Sequence, residues 1–207
     1  MTVAVRRDLP RRELPRSVLV LATRDEAQAE RLVGRISDGV IALANVHVVW
    51  GAAPALRVKR VLSQRMVVID ETWRRLTPAY RQGTLVHEMT HTALQPETSA
   101  RTPPWLIEGV AMYLEGDRGA GPGTPLSRIS RPGAIYRLSG SEQGDAYSAA
   151  AAATFTIAER HGNKGLFRLY EAFNDPRIPG RPGAKTTDRV LRRTLGMSLA
   201  ELQAAAG

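Results

Sequence analysis

Two histidines four residues apart, in His87-Glu88-Met89-Thr90-His91, constrain this chain more than any other feature of it. Each residue of an α-helix turns by about 100°, so positions i and i+4 stack on one face and both imidazoles can reach one metal ion. Glu88, between them, points away around the helix. It does not compete as a ligand, but it can hold a metal-activated water and take its proton. That is the arrangement of a zinc hydrolase with a glutamate general base. The alternative is an ordinary helix that happens to carry two of the chain's four histidines. The flanking residues favour a helix in either case. Thr77-Pro78 reads as an N-cap followed by proline at the first helical position, Leu85, Val86, Met89 and Ala93 form an apolar stripe, and Pro96 ends the run after Gln95.

A catalytic zinc site takes three protein ligands and keeps one position open for water, so a third ligand is expected downstream. Glu97 occupies the last-ligand position of the pattern His-Glu-x-x-His-x-x-Gly-x-x-His, but Leu94 stands where that pattern needs a glycine to turn the chain back. Glu108 is the stronger candidate. It lies in Pro103-Pro104-Trp105-Leu106-Ile107-Glu108-Gly109-Val110-Ala111-Met112-Tyr113-Leu114-Glu115, a segment opened by prolines and apolar except for its carboxylates. A carboxylate among apolar neighbours needs a partner, and a metal ion is one. Gly109 next to it removes a side chain, so two helices can approach closely there. Glu115, seven residues on and on the same face, is the second choice, or an acceptor for an imidazole N–H.

His87-Glu88-x-x-His91 followed by Trp105-Leu106-x-Glu108-Gly109-x-Ala111-x-Tyr113 resembles the gluzincin metallopeptidases, in particular the small bacterial proteins described as peptidase MA-like. The likeness spans roughly residues 45 to 204, through 147–166 and the closing segment 195–202, and is strongest at the two metal motifs. It implies one Zn²⁺ per chain held by His87, His91 and Glu108, with Glu88 as base. The 16 residues between His91 and Glu108 are a short connection for such a protein. Tyr147, at the start of an alanine-rich segment, is the candidate catalytic donor to the oxyanion that develops when water attacks a carbonyl, since the larger gluzincins similarly use a downstream tyrosine. Tyr136 is the alternative donor, and a tyrosine that merely packs its ring on the core is the simpler reading of either.

At 207 residues, 43% hydrophobic and 24% charged, the chain has the size and composition of one globular domain, expected over residues 17–207 behind a charged, proline-punctuated tail at 1–16. With no cysteine, disulfides and thiolate metal sites are excluded, leaving imidazole and carboxylate as ligands. No apolar run reaches the roughly 18–20 residues of a membrane span. The chain as it stands reads as soluble and unexported, although its start also fits an extracytoplasmic protein whose export signal is absent. The net charge is +9, but arginines are scattered, aromatics are only 5%, and no nucleic-acid-binding signature appears. The expected partner is therefore a peptide or protein substrate, with acidic peptides or an anionic envelope surface drawn electrostatically to a basic rim.

The fold class expected is α+β and zincin-like: a small mixed β-sheet beside the motif helix, followed by a mainly helical C-terminal part. A strand at 17–23, a helix at 25–37 and strands at 46–50, 57–62 and 65–70 are expected, with Ser63-Gln64 as a hairpin turn between the last two. The strand at 65–70 or that hairpin partner is the expected edge for pairing with an extended substrate. Residues 116–146 contain seven glycines and three prolines, and read either as a flap over the cleft or as a disordered insertion. Helices at 187–195 and 198–206 follow, the latter with a capping box from Ser198 and Glu201. Together these readings describe a zinc metallopeptidase. A zincin-like module that binds metal without turnover, and a basic adaptor protein with incidental histidines, are the alternatives.

Overall fold

A computed structural model describes residues 18–34, 36, 40–52, 56–119, 123–178 and 182–207; the expected tail at 1–16 lies outside them. The molecule is α+β, with one three-stranded mixed sheet and a larger helical part. Strand order is β1 (Leu19–Thr23), β3 (Val58–Ile69), β2 (Ala42–Trp50). β3 runs antiparallel to β2, from Ala42↔Val68 to Trp50↔Val58, and parallel to β1, from Leu19↔Arg65 to Thr23↔Ile69. The run Met66-Val67-Val68-Ile69 explains the central place of β3. All four side chains are buried, alternating between a cluster with Ala29 on one face and a cluster with Ala42 on the other.

The expected hairpin at Ser63-Gln64 is not there. Both residues lie within β3, opposite His47 and Val46. Ser-Gln lacks the residues that tolerate the positive φ of a two-residue turn, so the strand passes straight through. The Gln64 side chain donates to the Thr92 carbonyl at 3.0 Å instead, tying the sheet to the motif helix. β3 is thus flanked on both sides over Arg65–Ile69, so the 65–70 segment offers no edge, whereas residues 58–64 pair with β2 on one side alone among the described strands. The edge strands are β1 and β2.

Helix α1 (Glu26–Val33) is capped by Asp25, whose carboxylate accepts from Gln28 N–H. A single turn, α2 (Asp70–Trp73), leads to α3 (Pro78–Leu94), where the Thr77 hydroxyl caps the Tyr80 N–H and Pro78 opens the helix. Leu85 and Met89 of α3 pack on the sheet beside Met66 and Val68. α4 (Pro104–Glu115) then lies against both α3 and α5 (Gly140–Ala172), and α5 breaks at Gly162, where φ is 66° and ψ 171°. α6 (Ala184–Leu195) and α7 (Leu199–Ala206) close the fold, the latter with the Ser198–Glu201 capping box.

The main core is helical and centres on Trp105, Leu106 and Val110 of α4 against Ala149, Ala150 and Ala153 of α5. A Cβ at Gly109 would fall on the Thr154 hydroxyl and the Ala150 carbonyl, so the small residues on both sides set the close approach. Residues 123–139 are a packed connection, and α5 begins at Gly140, earlier than the glycine content suggests. Leu126, Ile129 and Ile135 are buried in the core, and two 3₁₀ turns, Arg128–Ser130 and Ile135–Arg137, carry the chain across it. Burial of such apolar side chains, each contributing roughly 1.5–3 kcal/mol, outweighs the backbone freedom of the glycines. Among the described residues no helix is long and apolar enough to cross a membrane.

Candidate metal centre

Helix α3 presents His87 and His91 one turn apart, their rings edge to face with centroids 4.8 Å apart. Helix α4 brings Glu108 to them, and its Oε2 stands 3.3 Å from each Nε2. The three ligand atoms lie within 4.8 Å of one another, a group that can hold a metal ion. Glu108 is buried at 3% exposure, a position a carboxylate tolerates only with partners. Burial opposes its charge, but the two imidazoles prevail and hold the carboxyl well below the usual carboxylate range. The short connection from His91 is managed by a 3₁₀ turn, Gln95–Glu97, and an isolated bridge between Ser99 and Arg57. Glu97 lies in that turn, outside the metal-binding group.

Glu115, one helical face down from Glu108, places Oε2 3.1 Å from His87 Nδ1. His87 is therefore held at both ring nitrogens, Nδ1 by Glu115 and Nε2 by Glu108. Burial alone would lower its pKa, but these two carboxylates raise it to about 10 in the metal-free site. Room for Glu115 comes from Gly83, one turn before His87, where a Cβ would lie 2.7 Å from Glu115 Oε1.

Glu88 is turned away from the ligand group and buried against the sheet edge, where Oε2 accepts the Ala44 N–H at 2.5 Å. Burial is the main cause of an upward pKa shift, opposed by His91 and His87. Nothing in the sequence marks Ala44, because it contributes a main-chain N–H, which no side-chain pattern reports. The partner follows from β2 being the edge strand beside α3.

Both tyrosines reach the site. The Tyr136 hydroxyl donates to Glu108 Oε1, the oxygen turned away from the imidazoles, while its ring is 47% exposed. Tyr147, in the second turn of α5, is half-buried in the same cleft. Burial first and then Glu108 push both phenols well above the ordinary tyrosine range, with Glu88 adding to the shift at Tyr147. Such phenols stay protonated and serve as donors. The Trp105 indole N–H donates to Ser130 Oγ at 3.2 Å, tying α4 to the connection that carries Tyr136.

The cleft over these residues measures about 700 Å³. The chain matches no protein-family model, no curated protein and no solved structure.

Proposed function

We propose that this protein is a zinc-dependent metallopeptidase of zincin-like fold, a gluzincin-type hydrolase that cleaves peptide bonds with Glu88 as general base. The convergence of His87, His91 and Glu108 from two helices, with Glu88 beside them but outside the ligand group, carries this reading. Two imidazoles and one carboxylate suit zinc, whose bonds of about 2.0–2.2 Å in tetrahedral array separate neighbouring ligand atoms by about 3.3–3.5 Å. The 3.3 Å from Glu108 Oε2 to each Nε2 agrees with that separation.

When bound, the ion would supply Lewis acidity, polarising the scissile carbonyl and lowering the pKa of water. Glu88 takes the proton of the attacking water and returns it to the leaving amine, a task suited by its raised pKa. Tyr147 donates to the developing oxyanion from across the cleft, while Tyr136 holds Glu108 in place. Glu115 accepts the His87 Nδ1–H and so directs Nε2 at the metal. The outward edge of β2, where the Ala44 N–H faces the cleft, supplies main-chain groups for an extended peptide.

Elemental mass spectrometry of purified protein, beside Glu108→Ala and Glu97→Ala after brief dialysis against a weak chelator, tests the site. One zinc per chain, lost in Glu108→Ala and kept in Glu97→Ala, is expected; wild-type protein that takes up no metal on reloading overturns the reading. Glu88→Gln should keep the zinc and abolish hydrolysis, which separates an enzyme from a silent metal-binding module.

A further inference from the structure

The metal site sits between two connected cavities. One, of about 700 Å³, extends towards Trp50 at the far end of β2; the other, of about 430 Å³, extends towards Tyr80 and Met112. Ala42, His87, Glu88 and Tyr147 line both, so the cleft continues on either side of the reacting position. Apart from His87, Glu88, His91 and Glu108 themselves, the described wall of the Trp50 cavity contains no Asp, Glu, Lys or Arg. Its surface includes Val46, Trp50, Pro104 and Ile107, with Gln95 as an uncharged polar group, while the Thr98 and Ser99 hydroxyls are bonded to the Leu94 and Leu56 carbonyls. This is unusual in a chain with 29 Lys and Arg. Arg101, next to that wall in sequence, is buried and directs its guanidinium to the Asp175 carbonyl at 3.5 Å. The second cavity adds the carboxylates of Glu115 and Asp117, and again no described Lys or Arg.

Resting on the peptidase reading above, we infer that the cleft takes an internal, extended peptide segment with an uncharged apolar side chain on the Trp50 side, and rejects acidic side chains on both sides. The Trp50 wall offers mainly apolar contact and, among its described residues, no Lys or Arg, so a carboxylate there would lose water without an ion-pair partner. On the other side it would meet Glu115 and Asp117. No described Lys or Arg awaits a terminal carboxylate in either cavity. Glu115 Oε2 faces His87 Nδ1 and Asp117 Oδ1 accepts the Gly119 N–H at 2.9 Å, and their charge disfavours an anion on this side. The Lys and Arg residues are thus absent from the described lining of the cleft, and the basic net charge does not set the choice of substrate at the bond cleaved.

Acetylated and amidated octapeptides differing only in one central residue, Leu, Lys or Glu, provide the test, alongside the Leu peptide with free ends. Binding is read by isothermal titration calorimetry on the full chain carrying Glu88→Gln and loaded with Zn²⁺, and cleavage by mass spectrometry with the wild type. The blocked Leu peptide should bind at least about tenfold more tightly than the Glu peptide and be cut internally. Trp50→Lys, with zinc content unchanged, should narrow that ratio by strengthening binding of the Glu peptide. Equal or tighter binding of the Glu peptide, a requirement for a free end, or no binding of any peptide overturns the inference. Leu-selective binding without cleavage supports it and instead removes the hydrolytic reading.

Discussion

Glu115 Oε2 and His87 Nδ1 stand 3.1 Å apart across the α3–α4 contact, and this pair fixes the imidazole whose other nitrogen faces Glu108. A ligand held in this way loses little rotational freedom on binding a metal and keeps the correct tautomer. Glu115→Gln should weaken metal affinity by about 10–100-fold while the fold persists, as measured by competition with a chromogenic chelator. Unchanged affinity would remove Glu115 from the site.

Two glycines make opposite demands. Gly109→Ala drives a methyl into the Ala150 backbone and the Thr154 hydroxyl, neither free to yield, and should destabilise the fold by about 1–3 kcal/mol in urea unfolding. Gly83→Ala meets only the flexible end of Glu115, so stability should change little while metal affinity falls as in Glu115→Gln. Equal loss of stability in both variants would contradict this distinction.

Metal binding should release a proton. With its pKa raised from 6.5 to about 10, His87 is protonated at neutral pH in the metal-free protein, and a metal ion must displace that proton from Nε2. Affinity should then rise about tenfold per pH unit up to about pH 10, and calorimetry in two buffers of different ionisation enthalpy should count about one proton. For stability the sign runs the other way. A basic group with a raised folded pKa stabilises fully below its unfolded value of 6.5, and the contribution is lost as pH climbs through about 10. Thermal midpoints in chelator should therefore fall across that interval, and less so in Glu115→Gln.

The two tyrosines should separate by effect. Tyr136→Phe removes the hydroxyl that donates to Glu108 Oε1 and should lower metal retention, whereas Tyr147→Phe should keep more of the metal and reduce kcat by about 10²–10³-fold. Chelator competition and steady-state kinetics on the same preparations check both. A kcat loss confined to Tyr136→Phe would reverse the assignment of the oxyanion donor.

The helical parts of the site were legible because their signals are local. Thr77-Pro78, the i, i+4 histidines and the proline-opened 104–115 segment each specify a helix and a face within a few residues, and Glu108 followed from the cost of burying a carboxylate among apolar neighbours. The sheet was less legible. A polar Ser63-Gln64 pair in mid-strand looks like a turn until the partner strand is known, since pairing partners are remote in sequence. The 116–146 stretch was legible only as a choice between a flap and a disordered insertion: in its described part Leu126, Ile129 and Ile135 are buried, which removes the second, while Pro132, Gly133 and Tyr136 line the cleft.

By itself the sequence determined which residues can bind a metal and on which helix faces they lie, because helical periodicity is set by the backbone within a single turn. Only the tertiary structure decided how those faces meet. It gave Glu88 the Ala44 N–H, brought the Tyr136 hydroxyl onto Glu108, made β2 the edge beside the site, and left the Trp50 side of the cleft without Lys or Arg among its described residues. Each of these depends on contacts between segments distant in sequence, which form only when apolar burial brings the sheet and the helices together.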